Sequence, residues 1–218
     1  MEIAEIQILQ LFPDDLSRVI QPMSHRFYSV GIHPCQVDQN YQQRIEQLSS
    51  FAAFPWVVAI GEAGFDKRCS TNSDLQRLAF TEMAMLAEQI QKPLIIHCVK
   101  AWQEIIALHK SLRSSVPWMI HGFRGKPALA QSLLNQGFYL SHGDKFNPDS
   151  VRVTPLDRLC IETDESTVSI ETLYYKIAFQ KHVPVHVLLE NANGLFRYLD
   201  IEQTFPCIDA HAHRSLIC

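Results

Sequence analysis

The sequence predicts an α/β fold in which a parallel sheet closes into a (β/α)₈ barrel of the TIM type. Eight short apolar runs recur along the chain, and most of the segments between them have the periodicity of amphipathic helices. Strands that are buried on both faces lose the polar alternation of a half-exposed sheet, so apolar strands separated by helices indicate a parallel sheet covered by helices. An open doubly wound sheet of similar length fits the same periodicity and stays an alternative.

The predicted strands are rich in Val, Ile, Leu and aromatic residues. In chain order they cover residues 3–12, 27–32, 56–60, 94–97, 118–121, 138–141, 159–162 and 207–211. In a barrel, the carboxyl ends of such strands meet at one rim, which is where the catalytic residues of this fold lie.

The predicted helices show apolar residues at steps of three and four. Ser73 followed by Gln76 is a capping-box pattern, which predicts the start of a helix that continues to about Ile90. Pro127 opens and Gly137 closes another helix. The remaining helices are predicted near residues 37–48, 102–112, 170–181 and 185–199.

The composition is that of a soluble globular protein, with 218 residues, of which 47% are hydrophobic and 19% charged. We expect residues 1–218 to form a single domain, because α/β barrels commonly exceed the usual domain length. Neither type of Gly-rich phosphate loop occurs, which excludes the Rossmann and P-loop classes. The net charge of -4 and the pI near 6.2 argue against bulk electrostatic binding of long duplex nucleic acid, although a locally basic cleft is compatible with them.

The six cysteines include no C-x-x-C pair, and Cys98, Cys160 and Cys207 lie in apolar runs. This arrangement predicts free thiols in the core. The first apolar run lacks the cationic flank of a secretory signal. We therefore expect a cytoplasmic protein without membrane association.

Polar ionisable residues end five of the apolar strands, and this regularity is the main functional signal. They are Glu62, His97, His121, Asp164 and the pair His211 and His213. Residues two apart on a strand share a face, so the two histidines of the H-x-H pair can chelate one ion. Four imidazoles and two carboxylates exceed the needs of one four-coordinate ion and fit two ions that share a bridging carboxylate.

Six short segments, spread over nearly the whole chain, carry a further pattern. They are GIHP (31–34), AIGEAGFD (59–66), KPLIIHC (92–98), IHGF (120–123), ETD (162–164) and IDAHAH (208–213). Together they resemble the TatD family of metal-dependent deoxyribonucleases, within the amidohydrolase-like barrels. The resemblance implies a (β/α)₈ barrel that hydrolyses phosphodiesters with two divalent metal ions, Mg²⁺, Mn²⁺ or Zn²⁺. One metal is assigned to His211, His213, Glu62 and Asp164, and the second to Glu62, His97 and His121.

The position of the H-x-H pair departs from the family pattern. In the family this pair opens the chain on the first strand, whereas here it lies near the C-terminal end. Because the first and last strands of a closed barrel are neighbours, we interpret the sequence as a circular permutation with the H-x-H strand at the C-terminus. A domain-swapped dimer, in which the final segment completes a partner's barrel, is the alternative to this monomer.

Glu62 and Asp164 are the predicted catalytic carboxylates, and Asp164 is the residue expected to receive the proton of the attacking water. His33, Arg124 and Lys145 are predicted to contact substrate, since each lies just beyond a strand end. The expected substrate is a DNA end or a short single strand. Two other functions stay open: hydrolysis of a small ester, lactone or amide by the same type of site, and metal binding without catalysis.

Overall fold

The computed structural model describes residues 7–15, 26–192 and 195, and within them strands alternate with helices. The strands are β1 (Gln7–Leu11), β2 (Arg26–Val30), β3 (Val57–Asp66), β4 (Leu94–Val99), β5 (Trp118–Ile120), β6 (Tyr139–His142) and β7 (Leu159–Ile161). The helices are α1 (Tyr41–Ala52), α2 (Ser73–Gln89), α3 (Trp102–Leu112), α4 (Pro127–Leu134), α5 (Pro148–Val153), α6 (Ile170–Lys181) and α7 (Val185–Asn191). The predicted α/β class is confirmed.

The seven strands form one sheet whose hydrogen-bonded neighbours follow the chain order from β1 to β7. The pairs β2/β3, β3/β4 and β6/β7 run parallel. A doubly wound sheet reverses its strand order at a switch point, so the observed order excludes that alternative. The eighth predicted strand, residues 207–211, lies outside the described residues. The barrel closure and the circular permutation depend on this strand and therefore stay predictions.

Contacts divide the described chain into two compact units. The early unit contains residues 9–15 and 27–119, and the late unit contains residues 7–8, 26, 120–192 and Leu195. The late unit has a hydrophobic core in which Tyr174 and Ile177 of α6 are fully buried together with Leu159 and Ile161 of β7. The prediction of a single domain over residues 1–218 stays a prediction.

In the early unit, β3 is buried along its whole length. A Cβ atom at Gly61 would lie 2.3 Å from a carbonyl oxygen of β4, and one at Gly64 would lie 2.0 Å from another. Only glycine therefore allows this close approach of the two strands. For that reason β3 continues past the predicted end at residue 60 and includes both Glu62 and Asp66.

The start of α2 differs from the predicted capping box. Asn72 is the N-cap, and its side chain accepts hydrogen bonds from the amides of Asp74 and Leu75, which makes Ser73 the first helical residue. Gln76 instead turns inward, where its side chain accepts from the Asp66 amide at 2.9 Å and donates to the Asp66 carbonyl at 3.2 Å. The glutamine thus ties the start of α2 to the end of β3.

The prediction of free thiols holds for Cys98 and Cys160 and is wrong for Cys35 and Cys69, which form a disulfide. Cys35 lies in the 3₁₀ helix Pro34–Gln36 after β2 and Cys69 in the loop after β3, and the sequence pattern shows no link between them. Cys207 lies outside the described residues. None of the helices in the described part of the chain has the length and apolar character needed to span a membrane.

Candidate metal centres

The early unit brings three potential ligands together. His33 follows β2 and caps the 3₁₀ helix Pro34–Gln36, Glu62 lies within β3, and His97 lies near the end of β4. Each offers one ligand atom, and these atoms all lie within 4.8 Å of one another. Oε2 of Glu62 is 3.7 Å from Nδ1 of His97 and 3.9 Å from Nε2 of His33.

A second carboxylate, Asp66, contacts the other side of the His97 ring. Its Oδ2 lies 3.2 Å from Nε2 of His97 and 3.1 Å from a guanidinium nitrogen of Arg68. Burial would raise the pKa of Asp66, but hydrogen bonds from Arg68 and His97 outweigh it and lower the pKa to about 2. Asp66 is therefore ionised at neutral pH and can only accept hydrogen bonds.

Glu62 is held from its backbone side by β1. The side chain of Gln10 accepts a hydrogen bond from the Glu62 amide and another, at 3.0 Å, from the hydroxyl of Ser29. Glu62 itself is only 8% exposed. These contacts fix the backbone that carries the carboxylate toward the two histidines.

The late unit holds a second group, formed by His121, Glu162 and Asp164, whose ligand atoms also lie within 4.8 Å of one another. Glu162 is fully buried. Its Oε1 accepts from the Gly122 amide at 2.5 Å and lies 3.3 Å from Nδ1 of His121, while its Oε2 accepts from the hydroxyl of Ser141 at 2.6 Å. Both carboxylate oxygens are thus engaged by the protein, which makes Glu162 suited to orient His121.

A polar cavity of about 130 Å³ lies beside this second group, within the late unit. Its lining combines carboxylates, cations and small residues: Gly122, Arg124, Gly143, Asp144, Lys145, Glu162, Thr163, Asp164, Glu165 and Ser166. Arg124 and Lys145 are both exposed. The lining has four carboxylates against two cations, so a divalent cation would have to offset the negative charge before an anionic group such as phosphate could contact Arg124 and Lys145.

His142, at the end of β6, is a buried histidine next to this site. Nε2 of His142 lies 3.2 Å from the hydroxyl of Thr154, and the ring packs edge-on against Phe123. Burial lowers its pKa to about 4, and nearby Lys181 adds to that effect while Glu162 opposes it. His142 is therefore neutral at physiological pH.

The structure brings the predicted residues together in two sets. His33, Glu62 and His97 meet in the early unit, while Asp164, Arg124 and Lys145 line one cavity in the late unit. His121 lies with Asp164. The predicted ligands His211 and His213 lie outside the described residues.

Two carboxylates that contact candidate ligands, Asp66 and Glu162, were not among the predicted site residues. Both stand in the quoted segments, Asp66 as the last residue of AIGEAGFD and Glu162 as the first of ETD. The available signal was a carboxylate in an otherwise apolar segment, which is costly to bury unless it is paired. The sequence did not show which histidine each would contact.

Comparison with known proteins shows which family the chain is related to. The family described as TatD related DNase matches residues 8–171. The chain belongs to this family. Its fold is also that of the TatD homologue YjjV from Escherichia coli, with a TM-score of 0.72, 18% sequence identity, and coverage of 88% of this chain and 85% of that one.

Several curated relatives of this TatD chain bear names of enzymes. An uncharacterized metal-dependent hydrolase of Buchnera aphidicola is 33% identical over 150 residues, which are 65% of this chain and 56% of that protein. The 3'-5' ssDNA/RNA exonuclease TatD of Citrobacter rodentium is 28% identical over 210 residues, or 90% of this chain and 79% of that one. The chain spans between 56% and 64% of the length of three metal-dependent hydrolases, two from Buchnera aphidicola and one from Bacillus subtilis.

Proposed function

We propose that this TatD-family chain is a divalent-metal-dependent phosphodiesterase that shortens single-stranded nucleic acid from an end. The observation that carries the proposal is the late unit's cavity, where Asp164 and two cations, Arg124 and Lys145, line one polar pocket beside a histidine–carboxylate group. A metal-binding group and side-chain cations both stabilise the charged oxygens of a phosphodiester during metal-dependent hydrolysis. The names of relatives, including a 3'-5' ssDNA/RNA exonuclease, support the substrate class.

The donor atoms fit a divalent cation. Each group combines imidazole nitrogen with carboxylate oxygen within 4.8 Å, a mixture that suits Zn²⁺ better than an all-oxygen set would. We propose Glu62 and His97 of the early unit and His121 and Asp164 of the late unit as ligands of divalent cations, two ions in all. His211 and His213 stay predicted ligands.

The chain's own residues have separable tasks in this proposal. A bound divalent cation supplies Lewis-acid polarisation of the phosphoryl oxygens and lowers the pKa of water. The Asp164 carboxylate accepts the proton of the attacking water, because it lies in the cavity that would hold the phosphate. The guanidinium of Arg124 and the ammonium of Lys145 bind the non-bridging oxygens and position the scissile group.

The test is cleavage of single-stranded DNA and RNA oligonucleotides, labelled at either end, with Mg²⁺, Mn²⁺, Zn²⁺ or EDTA. We expect stepwise shortening that requires metal and stops in EDTA. The variant Glu62→Gln, purified in the same way, controls for a contaminating nuclease. If the protein cleaved neither the oligonucleotides nor bis(4-nitrophenyl) phosphate but hydrolysed a lactone or an amide in the same panel, the small-substrate alternative would replace the proposal.

A further inference from the structure

The Cys35–Cys69 disulfide joins the segment after β2 to the segment after β3 in the early unit. The two cysteines are 34 positions apart in the chain. Cys35 lies just after His33 in the sequence, and Cys69 lies just after Asp66. The hydroxyl of Thr71 adds a weaker link, because it donates a hydrogen bond to the Cys35 carbonyl at 3.2 Å.

The imidazole of His97 contacts a side chain from each of these two segments. Its Nδ1 lies 3.3 Å from Nε2 of His33, and its Nε2 lies 3.2 Å from Oδ2 of Asp66. The rings of His33 and His97 also pack edge-on, with their centroids 4.4 Å apart. The disulfide therefore limits, from outside the site, how far apart the two neighbours of His97 can move.

Other contacts hold each segment to its own part of the fold. Arg44 of α1 donates to the Gln36 carbonyl at 2.7 Å in the first segment. In the second, the amide of Cys69 donates to the Asp66 carbonyl at 3.3 Å. These contacts do not join one segment to the other. That link depends on the disulfide and on the hydrogen bond from Thr71, and the covalent bond is the stronger restraint.

The cysteines of the described residues differ in their access to solvent. Cys35 is exposed and Cys69 is partly buried, whereas Cys160 is fully buried in β7. A disulfide is reduced by a thiolate that must reach one of its sulfur atoms, and exposed disulfides are the labile and regulatory ones. Cys35 therefore presents the sulfur that a reductant reaches first.

We propose that the Cys35–Cys69 disulfide is a redox-active site whose reduction by a dithiol loosens the two segments that hold His97. A thiolate of the dithiol attacks Sγ of Cys35, the bond between the two cysteine sulfurs breaks, and Cys69 takes up a proton as a free thiol. The second sulfur of the dithiol then attacks the mixed disulfide and releases Cys35 as a thiol. The dithiol is oxidised to a disulfide, and the protein gains two electrons and two protons.

Loosening of these segments has a consequence for cation binding. A metal-binding histidine is oriented by the groups that contact its ring, and loss of that orientation weakens the site. Reduction should therefore lower the affinity of the group that contains Glu62 and His97. This consequence rests on the proposed metal-dependent function, whereas the redox site and the loosening do not.

The first test is reduction of the folded, metal-free protein in mixtures of reduced and oxidised dithiothreitol, followed by alkylation and peptide mass spectrometry. We expect Cys35 and Cys69 to change together from disulfide to thiol without unfolding, while Cys160 stays protected. In oxidised glutathione, Cys69→Ser should form a mixed disulfide at Cys35 faster than Cys35→Ser forms one at Cys69. Free thiols at both positions under fully oxidising conditions, or a bridge reduced only after unfolding, would overturn the proposal.

The second test is hydrogen exchange of the metal-free protein in the oxidised and reduced states. Amides in residues 33–37 and 66–71 should exchange faster after reduction, and the Tm should fall by about 5 to 15 °C. The double variant Cys35→Ser/Cys69→Ser should behave as the reduced protein, and Cys160→Ala should respond to reductant as the wild type does. Unchanged exchange in both segments would overturn the loosening even if the Tm fell.

The third test is Mn²⁺ affinity, measured by electron paramagnetic resonance titration of the same proteins with a phosphine reductant. Reduction of the wild type should raise the Kd for Mn²⁺ by about 10-fold, the lower end of the effect of residues that orient a metal-binding histidine. The double variant should show the raised Kd without reductant and no further change with it. Equal Kd values in the oxidised and reduced wild type would overturn the link to metal binding. Absence of Mn²⁺ binding in both states would contradict the proposed function, while the first two tests would still decide the redox site.

Discussion

Each unit of the molecule holds a strand-terminal histidine against a buried carboxylate, but on opposite nitrogens of the ring. In the early unit, Asp66 contacts Nε2 of His97 at 3.2 Å, and in the late unit Glu162 lies 3.3 Å from Nδ1 of His121. A proton on the nitrogen that faces the carboxylate would leave the lone pair at Nδ1 in His97 and at Nε2 in His121. The carboxylate that faces the ring thus favours the opposite nitrogen as the ligand atom.

The two carboxylates are stabilised by different partners. Asp66 is paired with the guanidinium of Arg68, which is itself largely exposed. Glu162 is fully buried and receives hydrogen bonds from an amide and a hydroxyl. A charge-paired carboxylate tolerates nearby solvent, whereas a fully buried one depends on every donor around it. The late unit should therefore be the more sensitive to substitution and to acid.

The largest expected effect is the loss of hydrolysis when either unit loses its proposed catalytic carboxylate. Glu62→Gln in the early unit and Asp164→Asn in the late unit should each lower kcat by about 10³-fold or more, comparable to removing a strong electrostatic group from a transition state. Both variants should keep the wild-type circular dichroism spectrum. Full turnover in one of them, with its metal content confirmed, would mean that only the other unit contributes catalytic groups.

The second prediction concerns acid stability, which should separate the two units by pH range. The folded-state pKa of His142 is about 4, below its ordinary value of 6.5, so between these values the unfolded chain binds a proton that the folded chain does not. Stability is therefore complete above pH 6.5 and falls as the pH drops to 4, by about 3 kcal/mol or roughly 150-fold in the folding equilibrium.

Urea unfolding in EDTA at pH 7, 5.5 and 4.5 measures this loss. His142→Gln does not titrate and should flatten the decline between pH 6.5 and 4. Asp66 contributes to stability over a lower pH range, because its pKa is lowered from 3.8 to about 2. This contribution to the free energy of unfolding is lost only as the pH falls through that range. If the unfolding free energy of His142→Gln fell with pH as steeply as that of the wild type, groups other than His142 would cause the acid sensitivity.

The third prediction compares the two orienting carboxylates directly. Asp66→Ala and Glu162→Ala should each weaken Mn²⁺ binding by about 10- to 100-fold, the usual range for residues that orient a metal-binding histidine. Glu162→Gln retains an acceptor oxygen for His121 and should recover part of the loss.

Matched controls exist for both variants. Asp74→Ala removes an exposed carboxylate of α2 in the early unit, and Thr154→Val removes a buried hydroxyl in the late unit. Neither should change Mn²⁺ affinity. If Thr154→Val weakened it as much as Glu162→Ala, the effect of Glu162 would reflect general disruption of the late unit.

The smallest expected effect concerns the basic side chains of the late unit's cavity. Arg124→Ala and Lys145→Ala should each weaken binding of single-stranded DNA and reduce the slope of log K against log salt by about 0.7, the value for one phosphate contact on a single strand. Lys126 is also exposed but does not line the cavity, so Lys126→Ala is the control. If both variants kept the wild-type slope of log K against log salt, Arg124 and Lys145 would not contact the phosphates of the bound DNA.

Much of the architecture follows from local sequence patterns. Apolar runs and helical periodicity predicted the alternation of strands and helices, because burial on two faces requires such runs wherever the chain folds this way. The boundaries were less accurate. Strand β3 extends to Asp66 since two glycines permit its close approach to β4. Helix α2 begins after Asn72 because the Asn72 side chain caps it, while Gln76 binds the backbone of Asp66 instead of forming a capping box.

By itself the sequence determined the residue types of the site and their association with apolar strands, through motifs that include Glu62, His97 and Asp164. The predicted strand end at Glu62 was wrong, because β3 continues to Asp66. Only the tertiary structure decided which carboxylate faces which ring nitrogen, as for Asp66 with His97 and Glu162 with His121. The physical reason is that a strand pattern specifies the face on which a side chain projects, whereas a hydrogen bond depends on the register and distance between strands that are far apart in the chain.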